Sequence, residues 1–155
     1  MTRDRMLIIG IGNPYRCDDA LGCLIVRELA KSIPLRVECI EHDGEPASLI
    51  DSWQHKEHVL LIDAVSSGAT PGHIFRFDLT HESLPEAFNL YSTHAFGIPQ
   101  AVELARVLGK LPAKIDFIGI EGQSFGAGQR LSAQVQTAKN EVIAEILNSL
   151  ESKKK

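Results

Sequence analysis

The chain begins with a βα unit whose connecting turn is rich in glycine and carboxylates. The apolar run from Met6 leads into Gly10-Ile11-Gly12, and Asp18-Asp19 then precedes a segment with apolar residues at helical spacing. A continuous apolar run of this kind is typical of a parallel strand that is buried on both faces. The start of the chain therefore favours a sheet covered by helices on both sides.

The rest of the chain continues the alternation of strand and helix patterns. The predicted strands are Met6–Ile11, Leu35–Ile40, Val59–Ile62, Gly72–Asp78 and Ile115–Ile120. The predicted helices are Ala20–Ala30, Pro46 or Ala47 to Trp53, Phe96–Leu108 and Ser132–Leu150. This order predicts an α/β three-layer sandwich with about five mostly parallel strands and helices on both faces. The short turn before Gly72 suggests that the fourth strand is a hairpin-like, antiparallel edge strand.

Composition narrows the class of protein. With 155 residues, the chain is expected to form a single domain over residues 1–155. The net charge is -4 and no basic stripe occurs outside the terminal Lys153–Lys155, which argues against a nucleic-acid partner. No apolar segment reaches the roughly 18 residues of a membrane span. Three cysteines without a C-x-x-C pair point to the reducing cytoplasm.

The glycine-rich turn resembles a nucleotide-binding fingerprint, but its chemistry points to a cation. The fingerprint needs a third glycine where this chain has Tyr15. Asp18 and Asp19 would neutralise the positive end of the following helix and repel a phosphate. We expect Asp18 to cap the free N–H groups and Asp19 to remain free.

Three residues could form a cation site at the carboxyl edge of the sheet. Asp19 follows the first strand, Asp63 ends the third, and His94 precedes the predicted Phe96 helix. Two carboxylates and an imidazole suit zinc, nickel or manganese, with positions left for water or substrate. Each residue alone also has a structural explanation: helix charge for Asp19, a turn for Asp63, and a loop or helix cap for His94.

A second rank of candidates lies near the same edge. Asp43 and Gly44 follow the second strand, where glycine would let a peptide backbone approach, and Glu121 follows the last strand. Cys17, with His94 as base, is an alternative nucleophile, although neighbouring carboxylates disfavour a thiolate. We interpret the remaining histidines as surface or core residues, among which His42 is closest to the predicted site.

The ordered set of short motifs resembles the hydrogenase maturation proteases. These endopeptidases remove the C-terminal extension of the large subunit of nickel-iron hydrogenases. The resemblance runs from Met6 to about Leu150 and rests on Gly10-x-Gly12-Asn13, Asp18-Asp19-x-x-Gly22, Asp43-Gly44, Ile62-Asp63-Ala64 and Thr93-His94-x-x-Gly97.

The resemblance implies a function and assigns residues to it. It implies that Asp19, Asp63 and His94 contact a metal and carry catalysis, and that the metal is nickel supplied by the large-subunit precursor. Asp43, Gly44 and Glu121 are then predicted to bind the substrate. No nucleotide, nucleic acid or membrane is expected as a partner.

Three other interpretations remain open from the sequence. Asp19 and Asp63 could act as a carboxylate pair in general acid and base catalysis, without direct metal catalysis. A non-catalytic nickel-binding or chaperone module could use the same residues. A nucleotide-binding domain fits the strand order and is opposed by Tyr15 and the acid pair.

Overall fold

The computed structural model describes residues 6–89, 97–128 and 130–152. Its strands are β1 (Met6–Ile11), β2 (Val37–His42), β3 (His58–Val65), β4 (Ile74–Asp78) and β5 (Lys114–Glu121). Its α-helices are α1 (Leu21–Leu29), α2 (Pro46–Ser52), α3 (Ile98–Val107) and α4 (Ala133–Ser152). Short 3-10 turns cover Cys17–Ala20 and Glu86–Asn89.

The five strands form one mixed sheet in the order β2-β1-β3-β5-β4. The pairs β1–β2, β1–β3 and β3–β5 are parallel, and β4 is antiparallel to β5. The prediction of a mostly parallel sheet with one antiparallel edge strand is confirmed. The prediction of a hairpin-like connection is wrong. A hairpin would pair β4 with β3, but β5 lies between these two strands.

Helices cover both faces of the sheet, which confirms the three-layer arrangement. Along β3, Val59 and Leu61 join a core on the side of α2 and α3. Leu60 and Ile62 join a second core on the side of α1 and α4. Alternate side chains of a strand point to opposite faces, so an uninterrupted apolar run supplies both cores.

Several element boundaries differ from the prediction. β3 continues past Asp63 to Val65 because Ala64 and Val65 still pair with β5, so Asp63 lies within the strand instead of ending it. The predicted start of the third helix, Phe96, lies outside the described residues, and α3 begins at Ile98. None of the helices within the described ranges combines the length and apolar character that a membrane span requires.

Helix α1 lies in direct backbone contact with β1 and β3. A Cβ atom on Gly22 of α1 would come within 2.5 Å of the Ile11 carbonyl oxygen and 2.6 Å of the Ile62 carbonyl oxygen. A Cβ atom on Gly10 would collide with the carbonyl of Gly22. The helix can approach this closely only because both positions lack a side chain.

We predict that Gly22→Ala lowers the free energy of unfolding by about 3 kcal/mol or more, as overpacking against backbone requires. This loss of stability should occur although alanine stabilises a helix by about 1 kcal/mol relative to glycine. Urea denaturation measures it.

Gly126→Ala is the matched control for this substitution. No atom lies within 4 Å of a Cβ placed at Gly126, so its effect should stay within about 0.5 kcal/mol. Equal stabilities of the two variants would contradict the close contact.

Candidate active site

A cavity of about 440 Å³ opens at the carboxyl edge of the sheet. Its lining residues include Gly12, Asn13, Arg16 and Asp19 after β1, Asp43 and Gly44 after β2, Asp63 on β3, and Gly97, Ile98 and Pro99 at the start of α3. Ligands of open α/β sheets bind at this edge. The structure therefore brings Asp19 and Asp63 to one cavity, as the sequence predicted.

Asp19 is held in the cavity by the turn that follows β1. The backbone N–H of Asn13 donates to the Asp19 carbonyl oxygen and to Asp19 Oδ2, both at 3.2 Å. Gly12 has a φ of 143°, and a side chain there would collide with the Asp19 backbone. The expectation that Asp19 is free is wrong, because the turn fixes the carboxylate in place.

Asp18 does not cap the helix, which corrects the prediction. Neither the 3-10 turn nor α1 has a side-chain cap. The fully buried Asp18 carboxylate accepts hydrogen bonds from the backbone N–H groups of Gln123, Ser124 and Ser132 at 2.8–2.9 Å, and from Ser132 Oγ at 2.8 Å. Burial alone would raise the pKa of Asp18, but these donors outweigh it and the pKa is lowered. Asp18 thereby ties the first turn to the segment before α4.

The surroundings of Asp63 differ from those of Asp18 in their hydrogen-bond donors. Its Oδ1 atom is buried and accepts no hydrogen bond from the residues that the structure describes, although part of the residue faces the cavity. Burial, and then the negative charge of Asp19, raise the pKa of Asp63 well above its usual range. The backbone N–H of Ala64 opposes the shift only weakly. A cation beside the two carboxylates would stabilise their ionised forms and oppose this rise in pKa.

The described residues do not form a complete metal site by themselves. Across residues 6–89, 97–128 and 130–152, no group of three or more His, Cys, Asp or Glu could hold a metal ion. Asp19 and Asp63 both line the cavity, and each carries a carboxylate. His94, the predicted third ligand, lies outside the described residues, so its role stays a prediction.

Asp43 and Gly44 form one rim of the cavity. The Asp43 side chain is 81% exposed and accepts a hydrogen bond from the Glu45 N–H at 3.0 Å, as a turn-forming aspartate does. Gly44 has a φ of 89°, and its N–H donates to His42 Nδ1 at 2.9 Å. His42 Nε2 lies 3.0 Å from Ser48 Oγ, so both ring nitrogens of His42 have a hydrogen-bond partner. His42 therefore fixes the turn.

Glu121 lies apart from the cavity lining. It is 2% exposed, and its carboxylate accepts hydrogen bonds from the N–H groups of Ser67 and Gly68 and from Ser67 Oγ, at 2.8–3.0 Å. These contacts hold the loop after β3, and contact of Glu121 with the substrate stays a prediction. Ser66 of that loop lines the cavity.

Cys17 does not line the cavity either. Its Sγ lies 3.8 Å from the carbonyl oxygen of Ala127, and its backbone N–H donates to the Gly128 carbonyl. The alternative of a cysteine nucleophile gains no support from this position.

The cavity also has an apolar wall that the sequence did not predict. It consists of Val65, Leu84, Phe88, Ile98 and Phe117, and we call it the apolar wall. These residues follow the same patterns as ordinary core residues, so the sequence carries no signal that separates them from the core.

Comparison with known proteins identifies the family to which this fold belongs. A family model described as hydrogenase maturation protease matches residues 23–149. The hydrogenase 2 maturation protease of Escherichia coli is 28% identical over 153 residues, covering 94% of this chain and 92% of that protein. A Methanocaldococcus jannaschii relative assigned to the same class is 30% identical over 158 residues, covering 97% and 99%.

Solved structures share the fold. A solution structure of an Escherichia coli endopeptidase has a TM-score of 0.80 at 24% identity, covering 96% of this chain and 93% of that one. The crystal structure of a nickel-iron hydrogenase maturation protease from Thermococcus kodakarensis has a TM-score of 0.77 at 24% identity with the same coverage.

The matches to maturation proteases identify this α/β protein as an endopeptidase, which is a hydrolase. The chain belongs to the hydrogenase maturation protease family.

The surroundings of Asp63 predict an unusual pH dependence of stability. Because its pKa is higher in the folded chain than its ordinary value of 3.8, the folded state binds the proton more tightly than the unfolded state. The contribution to stability is lost as the pH rises through the raised pKa. We expect Asp63→Asn to gain stability relative to the wild type as the pH rises above 3.8, without metal, until Asp63 is ionised in the folded chain.

Urea denaturation at each pH, in buffer with a chelator, measures this difference. Asp51→Asn is the control, because Asp51 is exposed on α2. A difference in stability between Asp63→Asn and the wild type that does not change with pH would contradict a raised pKa of Asp63.

Proposed function

We propose that this protein removes the C-terminal extension of a nickel-loaded large-subunit precursor of a nickel-iron hydrogenase. In this proposal Asp19, Asp63 and His94 engage the nickel that the substrate carries. The single observation that carries the proposal is the pair of carboxylates, Asp19 and Asp63, in one cavity, with Asp63 Oδ1 buried and accepting no hydrogen bond from the described residues. The family and the names of the relatives supply the class of substrate.

Electrostatics explains why such a site would respond to a metal. Burial and the charge of Asp19 both disfavour an ionised Asp63, so the pair carries an energetic cost that a divalent cation would offset. Carboxylate oxygens with an imidazole leave coordination positions for water or a peptide carbonyl on zinc, nickel or similar ions. A site that engages the substrate's own nickel would then favour precursors that already contain it.

The position of His94 in the chain is compatible with this role. It is three positions from Gly97, which lines the cavity, and three residues span at most about 11 Å. The length of the chain therefore allows His94 to take part in a site at the cavity.

The chemistry is hydrolysis of one peptide bond. Water adds to the carbonyl carbon, the carbon–nitrogen bond breaks, and the departing amine takes up a proton. The substrate's nickel could polarise the carbonyl or activate the water.

A second version rests on the raised pKa of Asp63. With nickel used only for recognition, a protonated Asp63 could donate to the departing amine while the Asp19 carboxylate accepts a proton from water. In this version one carboxyl group acts as the acid and the other as the base. Neighbouring acids in different surroundings divide their roles in this way.

We place the reaction in the cytoplasm, as a further part of the proposal. The three cysteines, Cys17, Cys23 and Cys39, are all free thiols, as a reducing compartment favours. The five strands of the described residues share one sheet, which supports a single protease domain.

Substitutions of the proposed site test the function on nickel-loaded precursor. We expect Asp63→Asn and Asp19→Asn to lower kcat/KM by about 100-fold or more, since each removes a carboxyl group that would engage the metal or transfer a proton. Mass spectrometry of the shortened precursor measures cleavage. Asp51→Asn, an exposed change of the same type, should retain wild-type activity.

Two results discriminate between the versions. His94→Ala should abolish cleavage if nickel takes part in the reaction, and should leave partial cleavage if the carboxylate pair suffices. Full activity of Asp63→Asn on nickel-loaded precursor would contradict both versions.

A further inference from the structure

We propose that the apolar wall of the cavity is a subsite for a bulky apolar side chain next to the cleaved peptide bond. This inference rests on the proposed function, and it adds a specificity for the substrate's amino acid beside its metal. The wall comprises Val65, Leu84, Phe88, Ile98 and Phe117, all lining the same cavity as Asp19 and Asp63.

The apolar wall begins directly beside Asp63. In the sheet, Asp63 of β3 pairs with Gly119 of β5. A Cβ atom on Gly119 would lie 2.8 Å from Phe117 Cε1 and 3.1 Å from Val65 Cγ1, so the ring and the methyl group meet over this glycine. Neighbouring strands are about 4.8 Å apart. A peptide held at Asp63 would therefore have a flanking side chain against this surface.

The wall is held rigid by other aromatic rings. The centroid of Phe88 lies 5.1 Å from Phe75, 5.7 Å from Phe77 and 6.3 Å from Phe117. The first two contacts are edge-to-face, an arrangement that aromatic pairs prefer. A subsite built on such packing keeps its shape before the substrate binds, which lowers the cost of ordering.

The cavity is also large enough to hold a side chain of the substrate. At about 440 Å³ it falls within the range of about 300–1,000 Å³ for small-molecule pockets. A water molecule occupies only about 30 Å³, so a metal ion and a hydrolytic water leave most of the space free.

The chemistry of the wall selects the class of side chain. Val65, Leu84, Ile98 and Phe117 are buried and offer no polar side-chain group. A charged substrate residue would lose its hydration there without gaining a partner, whereas an aliphatic or aromatic residue would bury apolar surface.

The test uses nickel-loaded precursors in which each residue flanking the cut is replaced in turn by Leu, Phe or Asp. At one of the two positions, the wild-type protein should cleave the Leu precursor with a kcat/KM at least about tenfold above that of the Asp precursor. Val65→Ala enlarges the subsite, so it should raise the preference for Phe over Leu by about fivefold or more.

Val59→Ala is the matched control, because Val59 is a buried valine on the same strand and the same face, away from the cavity. It should leave the preference for Phe over Leu unchanged. A wild-type protein that cleaves Asp and Leu precursors equally at both positions would overturn the subsite while leaving the proposed function intact. An unchanged preference in Val65→Ala would have the same meaning. If the wild-type protein cleaves no nickel-loaded precursor, the proposed function fails and the subsite with it.

Discussion

The close contact between α1 and β1 is the constraint on which the site depends. Gly10 and Gly22 allow the helix to rest on the strand backbone, and Gly12 then turns the chain so that Asp19 lies at the edge of the sheet. The same crossing places Asp18 where it can accept hydrogen bonds from the segment that precedes α4. Side chains at these glycines would move the turn away from Asp63 and separate the two carboxylates.

Asp18 and Asp63 lie near this turn, and their different hydrogen-bond donors give them different pKa values and different roles. Asp18 accepts four hydrogen bonds, and its pKa is lowered despite burial. Asp63 has an oxygen without a donor among the described residues and faces a second carboxylate, so its pKa is raised. The first arrangement stabilises the fold. The second is unfavourable for an isolated protein and becomes favourable when a cation enters, which is the pattern of a binding site.

The sequence predicts the layers of this fold because the apolar runs of β1, β3 and β5 can be buried only between helices. It also predicts that Asp63 and Asp19 share an edge, because parallel strands end at the same side. It could not predict the role of Asp18, whose partners lie 105–114 residues away in the chain. The partner of β4 and the loop contacts of Glu121 depend in the same way on tertiary packing. The apolar wall has the composition of any core, so only its place beside Asp63 distinguishes it.

The most direct test compares one large-subunit precursor prepared with and without nickel. The wild-type protein is incubated with each form, and mass spectrometry follows the loss of the C-terminal extension. If the carboxylates engage the substrate's metal, only the nickel-loaded precursor is shortened, and nickel added to the nickel-free form restores cleavage once it is incorporated. Equal rates of shortening for both forms would contradict the account.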